Sequence, residues 1–365
     1  MFNKCVVVFT KLTLQCISTI FSNTFNKNVL SDKTKSIIKF SFFLALGIFL
    51  VWWPLSNFSP EAKTEMRKAL QDAEYFWLIL SAFFAILSHL SRAMRWQMLI
   101  ETFDKRPRLI NAFLAIMVGY LANLAFPRLG EITRCGIINR YEKIPMDKAF
   151  GTVITERLLD VVMLLLFTAL AVLLQFKILG YYFTENILQP LLLKIDSLGS
   201  NWLLYGLMIA GVLSLGLLAK YLSTHFRETA IYKKLQNLML GVWEGIKSVK
   251  NVKNLPLFIA HTFFIWTMYF VMIYACFFTT EFTSGLGPQV GLAVFVFGSF
   301  AVVATQGGIG AYPLMVAAVL ALYDIPYELG YVFGWIAWSG QTFMLLLVGF
   351  ASLVLLPIVN KKEAV

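Results

Sequence analysis

The run "VVMLLLFTALAVLLQF", residues 161–176, holds no charged residue in sixteen positions. It lacks the alternation of apolar and polar residues that a membrane β-barrel strand shows. Of all 365 residues, 59% are hydrophobic and only 14% are charged, whereas soluble domains carry about 25% charged residues. In lipid, only helices and closed barrels satisfy every backbone polar group. The sequence therefore predicts an all-α, polytopic membrane helical bundle.

Two of the apolar segments are interrupted by residues that break helices. Pro127 and Gly130 interrupt the first, and the glycines of "TQGGIGAYP", residues 305–313, interrupt the second. Broken segments of this kind are typical of re-entrant hairpins that line a polar site near the membrane midplane. We predict two re-entrant hairpins entering from opposite faces, formed by 110–126 with 128–140 and by 289–304 with 311–323. We also predict about six full spans, at 38–55, 75–100, 148–175, 201–219, 255–278 and 329–357.

Positive charge orients this arrangement. With the hairpins placed in this way, 25 of the 31 Lys and Arg residues lie on one side, and the positive-inside rule makes that side cytoplasmic. We therefore expect a multi-pass protein of the inner (cytoplasmic) cell membrane with both termini in the cytoplasm. Membrane topology also accounts for the net charge of +11, so nucleic acid is not an expected partner.

The predicted domain organisation is simple. Residues 1–36 form an N-terminal extension, interfacial or disordered, and the sequence leaves open whether they belong to the mature protein. Residues 37–360 form a single transmembrane domain. Within it, residues 220–254 form a basic cytoplasmic connector.

Arg128, Glu131 and Arg134 recur at three-residue spacing after Pro127. On a helix that begins near Arg128 they share one face, and Glu131 can pair with either arginine while the other remains available for an anion. The N-terminus of that helix would point its unpaired N–H groups into the membrane interior. The alternative is a cytoplasmic surface helix with a salt bridge.

A second charged group, "ERLLD", lies inside the long span 148–175. Glu156 and Asp160 share a helical face with Arg157, and carboxylates this deep in a membrane require partners. We expect Arg128 or Arg134 to supply the additional positive charge. The group would then titrate protons or bind a head group, and the alternative is an ion-pair network that only fixes packing.

Two further polar groups are candidates for the same site. In "SHLSRAMRWQ", residues 88–97, Arg92 and Arg95 would line an entrance for a phosphate head group, or would only snorkel to the membrane interface. In "TQGGIG", residues 305–310, backbone amides would cradle an anion, or the glycines would only let helices approach closely. The residues predicted here for substrate binding are Gln306, Gly307, Gly308 and Gly310.

The sequence shows no motif that would indicate catalysis or metal binding. The four cysteines have no CxxC spacing, and the three histidines have no HExxH-type spacing. We therefore predict no cofactor, no metal site and no catalytic residue.

The charged motifs resemble a known family. "GYLANLAFPRLGEITR", residues 119–134, followed by "ERLLD" and the later "GGIG", resembles the transmembrane region of lysylphosphatidylglycerol synthases, which many flippase-like proteins share. The resemblance covers roughly residues 38–357. The matching residues are Gly119, Asn123, Pro127, Arg128, Gly130, Glu131, Arg134, Glu156, Arg157 and Asp160.

The chain departs from this family in two ways. Gln306 stands where the family often has a proline, and the acid that often follows the paired glycines is missing. Family members that synthesise aminoacyl lipids also carry a soluble transferase domain after the membrane region, and this chain ends at Val365. The expectation is therefore that it is not an aminoacyl-lipid synthase.

The function expected from the resemblance and the charges together is lipid transport. The protein would be a flippase that moves a lipid with a charged head group between leaflets. Its partners would be such membrane lipids, and its Phe-rich exterior is compatible with lipid contact or with a homo-oligomer. The alternative is an intramembrane enzyme or accessory subunit that acts on phospholipid or polyprenyl-phosphate.

Overall fold

A computed structural model describes residues 54–126, 128–175, 252–305 and 307–361, together with the isolated residues 49, 52 and 189. Within these ranges the chain is helical and forms no β-strand, so the predicted all-α class is confirmed. Several predictions lie outside the described residues. They concern the extension 1–36, the span 201–219, and nearly all of the span 38–55 and of the connector 220–254.

Nine helices of eleven residues or more make up the described part of the chain, and short connections join many of them. In chain order they are α1 (Pro60–Gln71), α2 (Tyr75–Ile100), α3 (Leu109–Ala125), α4 (Leu129–Glu142), α5 (Met146–Leu174), α6 (Leu255–Cys276), α7 (Pro288–Ala304), α8 (Ala311–Ala321) and α9 (Tyr327–Val359).

Four of these helices are long and apolar enough to cross a membrane. They are α2, α5, α6 and α9, with 26, 29, 22 and 33 residues, and about 20 residues are needed to span the hydrocarbon core. They correspond to four of the six predicted spans. By contrast, α3, α4, α7 and α8 have 17, 14, 17 and 11 residues.

The short helices α3 and α4 form the first predicted hairpin. They run antiparallel and touch where two glycines face each other. A Cβ atom added to Gly130 would lie only 2.0 Å from the carbonyl oxygen of Gly119, which shows how closely the two backbones approach. The Gly130 N–H donates to the side-chain oxygen of Asn123 at 2.7 Å. This bond closes the turn between the two helices.

Polar side chains hold the open end of this hairpin to the end of α9. Asn111 and Asn360 exchange two amide hydrogen bonds, of 3.0 and 2.9 Å. Arg108 also donates to Asn360, and its own backbone N–H donates to Glu142 at 3.1 Å. The first hairpin therefore opens beside the C-terminal end of α9.

Helices α7 and α8 form the second hairpin. The connection between them needs glycine, because Gly307, Gly308 and Gly310 have φ angles of +64°, +79° and +71°, which other residues rarely adopt. At its open end, Gln175 donates to the carbonyl of Gln289 at 2.8 Å and accepts from the Tyr323 hydroxyl.

The two hairpins enter from opposite ends of α9. The second hairpin packs on the N-terminal part of α9, where a Cβ on Gly330 would lie 3.0 Å from Ala317 Cα, whereas the first is fastened beyond the C-terminal end. The two turns meet near the middle of α9, where Trp338 Nε1 donates to the Gly307 carbonyl at 2.7 Å and Leu124 lies beside Gly307. The hairpins therefore open at opposite ends of α9, while their entry from opposite faces of a membrane stays a prediction.

Candidate functional site

A buried cluster of ionised side chains lies where α2, α4 and α5 meet. Arg92 on α2 contacts both carboxylates of α5, with its Nη1 bonded to Glu156 and 2.8 Å from Asp160 Oδ2. Glu156 lies ten residues after the start of α5 and Arg92 eight residues before the end of α2, which places them about 15 and 12 Å from those helix ends. The cluster is therefore deep within the helical bundle.

Arg95 lies one turn further along α2 and reaches the same carboxylates. Its Nη2 is 3.0 Å from Asp160 Oδ1 and 3.6 Å from Glu156 Oε1. Its Nη1 donates to the Thr262 hydroxyl of α6 at 3.3 Å. The Arg95 side chain is fully buried, so α6 contributes to the cluster as well.

Arg134 joins the cluster from the first hairpin. Its Nη1 donates to Glu156 Oε2 at 3.1 Å, and its guanidinium carbon lies 4.9 Å from the centre of the Trp96 ring. Trp96 is held in turn by a 2.9 Å hydrogen bond from its Nε1 to Thr152. The hairpin thus brings one arginine to the Glu156 carboxylate, which already has partners on α2.

A second ion pair forms the rim of the cluster. Arg157 Nη2 lies 3.0 Å from Glu131 Oε1, and Arg157 Nη1 lies 3.8 Å from Asp160 Oδ2. The Arg157 side chain is 42% exposed, whereas that of Arg134 is only 3% exposed. This pair therefore separates the buried cluster from the surface.

The cluster and its rim carry an excess positive charge. Four arginines face three carboxylates, and the bonds at Arg134 use only one of its nitrogens. Its Nε and Nη2 are buried without a hydrogen-bond partner among the described residues, as is the Oε2 of Glu131. Buried polar groups are normally hydrogen-bonded, so this arrangement is chemically suited to bind an anion that also donates a hydrogen bond.

Some predicted contacts are absent and others replace them. Arg128 lies exposed at the hairpin turn with a φ of +65°, and in the described part of the chain it forms no ion pair with the cluster. Glu131 pairs with Arg157 rather than with Arg128 or Arg134. The Gly130 N–H at the start of α4 is occupied by Asn123, so this amide of the helix N-terminus is not available to an anion.

Arg92 and Arg95 do not snorkel to the membrane interface, because both are buried together with Trp96. They form the interior of the cluster, and their predicted role in binding a phosphate head group stays a prediction. The interpretation of "SHLSRAMRWQ" as an interface anchor is therefore wrong.

The glycine-rich break lies at the turn of the second hairpin. Gly307, Gly308 and Gly310 lie there as predicted, and Gly307 faces Leu124 and Trp338. Gln306 and Pro127 lie outside the described residues. An anion-binding role for the amides of this break stays a prediction.

Three neighbours of the cluster were not identified from the sequence. Tyr120 lies inside the "GYLANLAF" stretch, directly after Gly119, so its position in this motif could have identified it as a neighbour of the cluster. Tyr269 and Thr262 lie in α6, an apolar helix whose sequence gives no indication that this face meets charged residues.

Nothing in the described ranges resembles a metal centre, since no group of three or more His, Cys, Asp or Glu side chains could hold an ion there. Cys135 and Cys276 are buried and not in a disulfide.

Comparison with known proteins identifies the family. Residues 37–349 match the family described as the lysylphosphatidylglycerol synthase TM region. The chain belongs to this family. The matched region contains every residue of the cluster, and the resemblance inferred from the charged motifs is confirmed.

One curated relative matches part of the chain. A UPF0104 membrane protein from Methanocaldococcus jannaschii is 25% identical over 231 residues, which cover 61% of this chain and 64% of the relative. The chain thus matches less than two thirds of the relative's length. No solved structure matches the chain significantly.

The family and the helices together show a multi-pass membrane protein. The matching family describes a transmembrane region, and neither comparison shows a catalytic activity. The expectations that the chain is not an enzyme, that it lies in the cytoplasmic membrane, and that both termini are cytoplasmic stay predictions.

Proposed function

We propose that this member of the lysylphosphatidylglycerol synthase TM family moves a lipid with a charged, phosphate-containing head group between the two leaflets of the membrane. The observation that carries the proposal is the state of Arg134, whose side chain is buried but bonded through only one nitrogen. A phosphate oxygen offers the acceptor that such a guanidinium lacks. Ionised side chains this deep in a membrane protein are costly and usually have a functional role.

The excess charge of the cluster supports the same proposal. One phosphate charge would neutralise the surplus arginine, and Arg92 and Arg95 already hold Glu156 and Asp160. The head group would pass the rim by separating Arg157 from Glu131, the most exposed pair of the site. The acyl chains would remain in the lipid outside the bundle.

The hairpins provide a path for the head group from both sides. One hairpin opens at each end of α9, and their turns meet near its middle beside Gly307 and Leu124. Separation of the turns on one side at a time would give alternating access, as broken helices do in many transporters. The head group would then leave the cluster toward the leaflet that is open.

A lipid-movement assay in proteoliposomes tests this proposal. Fluorescent phosphatidylglycerol is placed in both leaflets, and a membrane-impermeant quencher reports the rate at which inner lipid reaches the outer leaflet. Wild type is expected to move the lipid, and Arg134→Gln is expected to lose movement. Arg67→Gln, which changes an exposed arginine of α1, is the matched control and is expected to move lipid at the wild-type rate.

The same preparations distinguish transport from the enzymatic alternative. Phosphate released from unlabelled phospholipid or polyprenyl-phosphate is measured in parallel. Failure of wild type to move any of several phospholipids would contradict the transport proposal. Release of phosphate by wild type but not by Arg134→Gln would replace it with an intramembrane phosphatase.

A further inference from the structure

Trp96 is a fully buried aromatic residue that carries one polar atom. It lies on α2, directly after Arg95, and its side chain has no exposed surface. The indole Nε1–H donates to the Thr152 hydroxyl of α5 at 2.9 Å. That hydroxyl donates in turn to the Ala149 carbonyl at 2.7 Å, so its lone pairs are available to the indole. The orientation of the Trp96 ring is therefore fixed by α5.

The fixed ring supports the guanidinium of Arg134. The guanidinium carbon lies over the Trp96 ring, 4.9 Å from its centre, and both side chains are buried. A guanidinium is planar, and its N–H donors all lie in that plane. A contact with its face therefore uses none of the donors. Trp96 holds the group while leaving its hydrogen bonds to other partners.

The rest of the Arg134 side chain is confined as well. A Cβ atom added to Gly119 on α3 would lie 3.5 Å from the Arg134 Cβ, which is ordinary van der Waals contact. The tip meets Glu156 through one nitrogen, with 3.1 Å between Nη1 and Oε2. The other oxygen of Glu156 is bonded to Arg92. Arg134 is thus held at its base, at one face and at one nitrogen.

The pairing of Arg134 with Glu156 is incomplete in a way that the Trp96 contact explains. Arginine–carboxylate pairs are frequently bidentate. Here, however, Nε and Nη2 of Arg134 have no hydrogen-bond partner among the described residues. A bidentate pair would need the guanidinium to turn or shift, and the face contact with the fixed ring opposes such a movement. The stack therefore keeps two donors of Arg134 unpaired.

We propose that Trp96 is a positioning residue for Arg134 and that Thr152 fixes Trp96 in this role. Together they hold the guanidinium so that a phosphate oxygen can supply the acceptor that Nε and Nη2 lack. Thr152 lies one helical turn before Glu156, so α5 sets both the ring and the carboxylate. The inference rests on the proposed function for the presence of the phosphate. It adds two residues that act through Arg134.

Substitutions of Thr152 test the inference in the lipid-movement assay. Thr152→Val keeps the shape of the side chain and removes the hydroxyl, so the ring loses its hydrogen bond. The mole fraction of phosphatidylglycerol that gives half-maximal movement is expected to rise about tenfold, because the guanidinium is no longer held for the phosphate. The maximal rate is expected to stay close to that of wild type. Thr152→Ser retains the hydroxyl and is expected to keep the wild-type mole fraction.

A matched control separates loss of position from loss of stability. Thr283 is also a buried threonine, and its hydroxyl donates to the Phe277 carbonyl at 2.6 Å, outside the cluster. Thr152→Val and Thr283→Val are both expected to melt below wild type, but only Thr152→Val is expected to change the half-maximal mole fraction. An equal rise in Thr283→Val would show that the effect follows stability and would overturn the inference. A wild-type mole fraction in Thr152→Val would overturn it too.

A measurement without lipid separates failure of this inference from failure of the proposed transport. The fall in melting temperature that Arg134→Gln causes is measured in wild type and in Thr152→Val. If the fixed ring supports Arg134, the substitution costs less in the second background, because the stack is already weakened there. Equal falls would overturn the inference whether or not lipid moves. A smaller fall in a protein that moves no lipid would support the positioning role and contradict transport alone.

Discussion

Arg134 of the first hairpin donates to Glu156 of α5, which lies 22 positions further along the chain, with 3.1 Å between Nη1 and Oε2. Glu156 also contacts Arg92 and Arg95. One carboxylate thus bonds to residues from two other helices, while Arg134 keeps two nitrogens without a partner among the described residues. The stability of the cluster therefore depends more on Glu156 than on Arg134.

Replacement of Glu156 by Gln is expected to lower the free energy of unfolding by about 3–5 kcal/mol, since it leaves buried arginines without a partner. Arg134→Gln is expected to cost less, because Glu156 retains two other arginines. Thermal or denaturant unfolding in detergent measures both effects. Glu65→Gln, at an exposed position of α1, is the control. A larger loss in Arg134→Gln than in Glu156→Gln would contradict this ranking.

The close contact in the first hairpin predicts a contrast between two glycines of α4. Gly130→Ala would place its Cβ 2.0 Å from the Gly119 carbonyl oxygen, whereas nothing lies within 4 Å of a Cβ on Gly136. The first variant is expected to separate the helices and to reduce the yield of folded protein strongly. The second is expected to be neutral or stabilising by up to about 1 kcal/mol, because alanine favours helix. Monodispersity and melting temperature of the purified variants report the difference, and equal behaviour would show that α3 and α4 are not in contact at Gly130.

The amide pair at the open end of the same hairpin predicts a second stability effect. Asn360→Ala leaves the fully buried Asn111 without its reciprocal partner, which is expected to cost about 1–3 kcal/mol. Lys361→Ala, at the next and exposed position, is the control. Unfolding in detergent measures the loss. An unchanged free energy in Asn360→Ala would indicate that the hairpin is not fastened to α9.

The sequence predicted the hairpins well, because their signals are local. Proline and clustered glycines are poor helix formers, so Pro127 and the glycines at 307, 308 and 310 predict interruptions from the local sequence, and the lengths of the apolar runs separate short helices from spans. Local signals could not predict the contact between the two turns beside Trp338. It depends on how both hairpins pack against α9.

The sequence predicted the charges of the site better than their pairing. Burial of Glu156 and Asp160 followed from their place in an apolar helix, and the need for arginine partners followed from that burial. The choice of Arg134 over Arg128 depends on where α4 begins and how it is rotated. Arg128 lies before the first turn of that helix, so spacing alone could not separate the two.

A comparison of Arg128→Gln with Arg134→Gln in the lipid-movement assay tests whether the buried arginine of the cluster holds the head group. The two variants remove the same charge from arginines six positions apart, one exposed at the hairpin turn and one buried in the cluster. We expect Arg134→Gln to abolish movement of fluorescent phosphatidylglycerol and Arg128→Gln to retain most of it. Wild-type movement in Arg134→Gln, with loss in Arg128→Gln, would contradict this expectation.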